Sequence, residues 1–407
     1  MAETRKRKDQ LHKYPKGMRI AVLLFLAALI IAADIWYLAV PDRAFSENEN
    51  RVLQEAPKAD MASVISGDYM TRAENYVEDQ FLFRDAWIRG KLFLDKLSGK
   101  KESNDVLLAK QGYLLEKPVP PSEDSFYRNL DAISSFADRH EFPVVMTLVP
   151  PAAWVMDQIL PDHVPLTDVH EIMEQVRDRL ITSEVRLADV TDALKVHKAE
   201  PIYYKSDHHW TSLGCRYAFE AMTDKLGIVD AVQKYAIMDA AYDFSGTMAA
   251  ASGEFQTMDT IELYVPLVGE GTDAPEGDAA IDLALSTDLK YVAQYLDTGR
   301  RSATIYDSQA LSEKDKYQVF LGGNHPQIVI HTNADNGRNL LLLKDSYANA
   351  FVQFLLPYYS SITIVDPRYY SDDLEQLIAE QEITDALILY SENNFVTDRS
   401  LYGVLES

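Results

Sequence analysis

With 63 acidic against 39 basic side chains in 407 residues, a formal net charge of −24, the chain repels phosphate backbones and anionic headgroups. Nucleic-acid binding is therefore not expected. Its single cysteine, Cys215, excludes an intramolecular disulfide and any cysteine-based zinc site, and reads as a small buried residue.

Residues 20–40 form an apolar run with one charge, Asp34, and about 20 such residues cross a bilayer. Before it stand Arg5, Lys6, Arg7, Lys8, Lys13, Lys16 and Arg19 against Glu3 and Asp9, while Trp36 and Tyr37 lie at the far end. This pattern predicts a cytoplasmic tail at 1–19, a transmembrane helix at 20–40 and an extracytoplasmic remainder. No Ala-x-Ala occurs between Ile20 and Ala44, so the span reads as an uncleaved signal anchor rather than a removed signal peptide.

Residues 41–125 read as a mostly helical, polar stalk with no assigned chemistry. From Phe126 strands and helices alternate. Helices are expected at Ala132 to His140 and Ile172 to Leu180, with strands at Val144 to Val149 and Arg186 to Val190. Later strands are expected at Gln327 to His331, Leu340 to Leu343, Ile362 to Val365 and Ala386 to Tyr390. Alternation predicts an α/β domain over 126–407 with a largely parallel sheet flanked by helices. It fails at about 240–310, which reads as an insertion carrying an exposed loop from Gly269 to Asp278.

Chemistry concentrates in two segments. Asp207-His208-His209-Trp210 puts a carboxylate two residues before an imidazole, between a short strand and a helix. On extended backbone those side chains share one side, so Asp207 can orient His209 and leave its other ring nitrogen free as a base. Ser346 follows the apolar run Leu340 to Leu343 and precedes the helical spacing of Ala348, Ala350, Phe351, Phe354 and Leu355. That places it at the carboxyl end of a buried strand, where open α/β sheets form their sites. A serine hydroxyl needs such a base to attack a carbonyl. The residue types also fit a plainer reading: Asp207 and Thr211 as helix caps, Trp210 as core and His208 as a packing or hydrogen-bonding neighbour.

The tetrapeptide 207–210, together with Lys344-Asp345-Ser346-Tyr347-Ala348-Asn349, resembles the DHHW family of bacterial membrane-anchored proteins. That family is similar to the SGNH-hydrolase-like polysaccharide O-acetyltransferases of alginate modification, in which the Asp-x-His-Trp motif likewise precedes the serine. Weaker blocks support the resemblance in order: Phe45 to Arg51, Asp79-Gln80-Phe81, Asn104 to Leu108, Gly322-Gly323-Asn324-His325-Pro326 and Asp366-Pro367-Arg368-Tyr369. Two positions depart from the pattern. Lys344 stands where an ordinary SGNH enzyme has glycine, and His208 fills the variable position.

The resemblance implies an SGNH-like fold, an acetyl-Ser346 intermediate, a polysaccharide acceptor and a membrane-bound O-acyltransferase that supplies acetyl groups; it implies no cofactor or metal. The Ser346 amide, at the start of its helix, is the first candidate donor to the oxyanion; a second is sought at Asn393 or Asn394, where the resemblance puts an asparagine block, with Asn324 as competitor. Arg368 and Tyr369 are candidates for contact with a sugar or its carboxylate, or for a structural ion pair. Alternatives are a carbohydrate esterase of the same fold, a non-catalytic surface scaffold, and a metal phosphoesterase. The last lacks an upstream Asp-x-Asp cluster.

Overall fold

The computed structural model describes residues 15–407 except 47, 50, 233 and 270–286, with the side chains of 33, 34, 36–39 and 123 also outside the description. Most of the expected tail at 1–19, Glu47 and Asn50 of the sequence block, and the expected loop beyond Gly269 lie outside the described residues. The chain divides into two compact units, Met1–Lys91 and Leu92–Ser407.

The first unit begins with helix α1, Lys16–Ala39, whose Ile20, Leu23, Leu24, Phe25, Ile30 and Ile31 are exposed. Its side chains are described continuously only over 16–32, and among the described residues no helix is long and apolar enough to cross a membrane. Beyond it come a short hairpin, Phe45–Ser46 with Arg51–Val52, and the helices Met61–Ser66 and Asp68–Asp79. Asp60 starts the first of these through a reciprocal cap with Ser63, which satisfies otherwise orphaned amides. Asp79 accepts from Arg51 Nη1 at 2.9 Å and from the Gln54 amide at 2.8 Å, tying helix to hairpin.

The division at 91/92 differs from the expected stalk boundary at 125, and the reason lies in residues 102–116. Their three short strands, Glu102–Ser103, Val106–Leu108 and Leu114–Glu116, form an antiparallel sheet. Leu107, Tyr113 and Leu115 enter the core of the larger unit.

That larger unit places helices on both faces of an eight-stranded sheet. Helices α2 (Glu123–Arg139) and α3 (Val169–Leu180) alternate with strands β1 (Val144–Val149) and β2 (Val185–Leu187). Helices α4 (Ser212–Met222) and α5 (Thr247–Ser252) follow, then β3 (Tyr291–Tyr295), β4 (Arg301–Ser302), β5 (Gln327–Thr332) and β6 (Asn339–Lys344). The chain closes with α6 (Ala348–Phe351), β7 (Ser361–Val365), α7 (Leu374–Glu380), β8 (Asp385–Ser391) and α8 (Glu392–Phe395).

Sheet order is β4-β3-β5-β7-β6-β8-β1-β2. Strands β7, β6, β8, β1 and β2 are parallel, whereas β4, β3 and β5 add an antiparallel edge. The sheet is therefore mixed, and two expectations change. Gln327–Thr332 runs against its neighbours, and the end of the expected insertion, 291–302, belongs to the main sheet. Strand direction depends on which element a segment pairs with, which local patterning does not record.

The apolar run at 340–343 lacks alternation because both faces of β6 are covered. Leu340 and Leu342 join one core with Trp210, Phe219 and Phe351; Leu341 and Leu343 join the other with Phe136, Met173 and Leu374. The parallel register sets the ends of β6 and β8 side by side, with Lys344 opposite Leu389. The loops that leave both strands share one edge.

Candidate active site

The motif 207–210 sits on a closed loop. Tyr203 and Trp210 form an antiparallel bridge, and the Tyr204 amide donates to the His209 carbonyl at 3.2 Å. Thr211 caps α4, its side chain accepting from the Gly214 amide. Gly214 has no room for a side chain, since a Cβ would stand 2.3 Å from the Ile202 carbonyl oxygen. The loop is thus pinned at both ends, and the residues between them project toward the carboxyl edge of the sheet.

Trp210 joins this loop to the one after β6. It is fully buried, stacks on Phe351 with ring centroids 5.8 Å apart, and donates from Nε1 to the Tyr347 carbonyl at 2.9 Å. The Tyr347 hydroxyl returns a hydrogen bond to the His208 carbonyl. Two cross-loop bonds therefore bracket Ser346 and the histidine pair.

Between them lies a continuous chain of hydrogen bonds. His209 Nε2 is 2.8 Å from Ser346 Oγ, and His209 Nδ1 is 2.5 Å from Asp207 Oδ1. Asp207 and His209 are buried at 3% and 6% exposure, while Ser346 is partly open. Burial alone would raise the Asp207 carboxyl, but His208, His209 and the Thr247 amide outweigh it and hold Asp207 well below the ordinary carboxylate range. The arrangement keeps an anion behind the imidazole, leaving Nε2 to accept the serine proton.

Three contributors carry no signal in the sequence. Thr247 donates to Asp207 Oδ2 from its amide at 2.8 Å and from Oγ1 at 2.9 Å. Gly246 makes this possible, because a Cβ there would come within 2.3 Å of the same oxygen. Tyr317 stacks on His209, with centroids 3.9 Å apart and planes 13° off parallel, and donates to the Ser346 carbonyl at 3.1 Å. All three come from the region without clear periodicity or its flank, and nothing marks a Gly-Thr pair or a tyrosine as a partner for a distant histidine.

Asp345 turns the chain sharply after β6. Its Oδ1 accepts from the Tyr347 amide at 2.9 Å, and its Oδ2 accepts from the Ser391 amide, Ser391 Oγ and Asn394 Nδ2 at 2.9, 2.8 and 2.7 Å. Next to Ser391, Glu392 is 2% exposed with neither carboxylate oxygen hydrogen-bonded. Burial, with the charge of Asp189 added, pushes its pKa up to about 9.

The oxyanion candidates separate by what their amides already hold. Asn393 Oδ1 accepts from the Val119 amide at 2.9 Å and its Nδ2 donates to the Lys117 carbonyl at 3.0 Å, so it fastens the segment before α2. Asn394 Nδ2 is given to Asp345. Asn324 differs. Lys344, the departure from glycine, is a buried ammonium that donates to Asn324 Oδ1 and to Asp366 Oδ2, each at 3.0 Å. An ammonium only donates, so the oxygen of Asn324 must face it and the Nδ2 group must face away. Among the described residues neither Asn324 Nδ2 nor the Ser346 amide has a hydrogen-bond acceptor.

Arg368 and Tyr369 lie on the loop after β7, beside the end of β6. Arg368 Nε and Nη2 clasp Asp366 at 2.8 and 2.6 Å, and its guanidinium lies 5.5 Å from the exposed Tyr369 ring. Burial raises Asp366, but Arg368 and Lys344 together bring its carboxyl below the ordinary value.

A metal reading can be set against the same atoms. Donor atoms of Asp207, His208 and His209 lie within 4.8 Å of one another, but His209 Nδ1 is paired with Asp207 and His208 Nδ1 is 2.8 Å from Thr247 Oγ1. Those spacings are hydrogen-bond lengths.

A mixed α/β sheet carrying a Ser-His-Asp chain at the carboxyl edge of its parallel strands defines a class of protein. Comparison adds that the pattern of the DHHW protein family matches residues 180–365, which hold both loops of the site. Among solved structures, a DHHW family protein from Eubacterium siraeum aligns with 23% identity and TM-score 0.61, over 75% of this chain and 96% of that one. PatB1 of Bacillus cereus with a sulfonyl adduct aligns with 20% identity and TM-score 0.56, over 74% and 97%. The O-acetyltransferase domain of Pseudomonas putida AlgJ aligns over 73% of this chain and 94% of that one, with 13% identity and TM-score 0.45. The first two likenesses establish the fold. No curated protein matches the sequence.

Proposed function

We propose that this chain is a membrane-anchored, extracytoplasmic serine O-acyltransferase that acetylates a cell-surface or secreted polysaccharide. The observation that carries the reading is the hydrogen-bond chain from Ser346 through His209 to Asp207, at 2.8 and 2.5 Å. Ser346 attacks an acetyl donor while His209 takes its proton. The tetrahedral oxyanion is met by the Ser346 amide and Asn324 Nδ2, neither of which has an acceptor of its own among the described residues. Collapse breaks the bond from the acetyl carbon to the donor's leaving group, which departs with the proton held by His209, and leaves acetyl-Ser346 for a sugar hydroxyl to attack. The fold fits the SGNH-hydrolase-like class that the sequence resembles.

The exposed apolar face of α1 and the basic residues that precede it support anchoring, which would keep Ser346 near a membrane-bound O-acyltransferase as acetyl supplier. Hydrolysis of acetyl-Ser346 by water would make the same site a carbohydrate esterase, and the openness of Ser346 keeps that second reading alive. Intact-mass measurement after exposure to a small activated acetyl ester tests the mechanism. A single acetyl adduct is expected, lost in Ser346→Ala and indifferent to chelators. Activity that disappears with EDTA and returns with a divalent metal would overturn it.

A further inference from the structure

The hydrogen bonds that end on Asp207 also fix the tautomer of the neighbouring histidine. A carboxylate only accepts, so Thr247 Oγ1 gives its single proton to Asp207 Oδ2 at 2.9 Å and must accept from His208 Nδ1 at 2.8 Å. His208 thus carries its proton on Nδ1, and the neutral ring presents a bare lone pair at Nε2. Burial, reinforced by the charge of His209, holds His208 below the ordinary imidazole range despite Asp207, which keeps the ring neutral. Its centroid is 3.9 Å from that of His209, its side chain is 22% exposed, and its Nε2 makes no hydrogen bond among the described residues.

A second acceptor stands on a strand held to this loop, the Leu114 amide donating to the Lys205 carbonyl at 2.8 Å. Glu116, half-buried at the end of the strand Leu114–Glu116, acts electrostatically on both His208 and the Tyr347 hydroxyl. Its carboxylate makes no side-chain hydrogen bond among the described residues. Near the histidine pair there are thus a lone pair and a carboxylate, neither supplied with a side-chain proton donor among the described residues.

We propose that His208 Nε2 and the Glu116 carboxylate form the subsite for the acyl acceptor, and that this acceptor is a neutral or amino sugar rather than a uronate. The proposal rests on the acyl-serine reading above. Hydroxyl or ammonium groups flanking the reacting hydroxyl donate to the two acceptors, whereas a uronate carboxylate would meet a lone pair and a like charge. In the transfer step the acceptor oxygen bonds to the acetyl carbon as His209 takes its proton. The bond from that carbon to Ser346 Oγ breaks, and His209 returns the proton to Oγ, leaving a sugar ester and free serine.

The full chain in detergent, with 4-nitrophenyl acetate as donor, tests this against cellotetraose, chitosan tetramer and tetragalacturonate. Transfer to the first two should exceed transfer to the third by about tenfold, the scale of one well-placed interaction. His208→Phe should lower the ratio of transfer to hydrolysis about tenfold. Glu116→Gln, which keeps shape and removes charge, should narrow the preference against tetragalacturonate about threefold. Equal or better use of tetragalacturonate, or ratios that neither variant moves, would overturn the subsite. An adduct on Ser346 that only hydrolyses with every sugar would overturn the subsite and leave the acyl-serine reading standing. No adduct at all would remove both.

Discussion

Thr247→Val replaces the bridging hydroxyl by a methyl group of nearly the same size. It removes the Oγ1 bond to Asp207 Oδ2 and the acceptor of His208 Nδ1, but keeps the Thr247 amide bond to the same oxygen. A hydrogen bond to a charged group contributes roughly 1.5 to 3 kcal/mol. Because Oδ2 retains the amide, the lower end applies, and about 1.5 kcal/mol corresponds to roughly a tenfold loss in kcat/KM. The Asp207 carboxyl lies so far below its ordinary value that losing one donor leaves it ionised near neutrality. The loss should therefore be constant between pH 6 and 8 rather than a displaced acid limb. Ester hydrolysis by the full chain, with Thr247→Ser restoring the hydroxyl, is the assay. A change below twofold would show that Thr247 does not hold the anion, and a loss beyond a thousandfold would show a wider collapse of the loop.

Glu392, pushed up to about 9 by burial, binds a proton in the folded state that the unfolded chain releases near its ordinary value of 4.5. Stability from this group is fully present below that ordinary value and is lost as pH rises through about 9, so Glu392→Gln should raise Tm more at pH 8 than at pH 5; equal shifts would refute it. Asn324→Ala should cost about a hundred- to thousandfold in turnover if its amide meets the oxyanion. Asn393→Ala should instead lower Tm, because it frees the Val119 amide and Lys117 carbonyl; the reverse ranking in a paired activity and melting measurement would exchange their roles. If residues 20–40 anchor the chain, protease added to intact cells should digest the carboxy-terminal unit and spare a tag before Met1. A released form beginning near Asp34 would show cleavage instead.

Asp207, His209 and Ser346 were legible as candidates in the sequence because their chemistry is local. A carboxylate two residues from an imidazole, and a serine at the end of an apolar run, can be read from spacing and hydropathy. The buried strands at 144–149, 340–343 and 386–390 were legible for the same reason: covering a strand on both faces demands an unbroken apolar run. Tertiary structure decided what depends on partners distant in the chain. The antiparallel direction of β5 follows from its pairing with β3 and β7, and residues 102–116 join the larger unit because Leu107 and Leu115 find its core. The amide orientation of Asn324 is fixed by a lysine twenty residues away, the tautomer of His208 by a threonine on α5, and the stacking face of His209 by Tyr317. Hydrogen bonds and ring contacts of this kind impose no periodicity on the chain, so only the folded structure reveals which polar groups face one another.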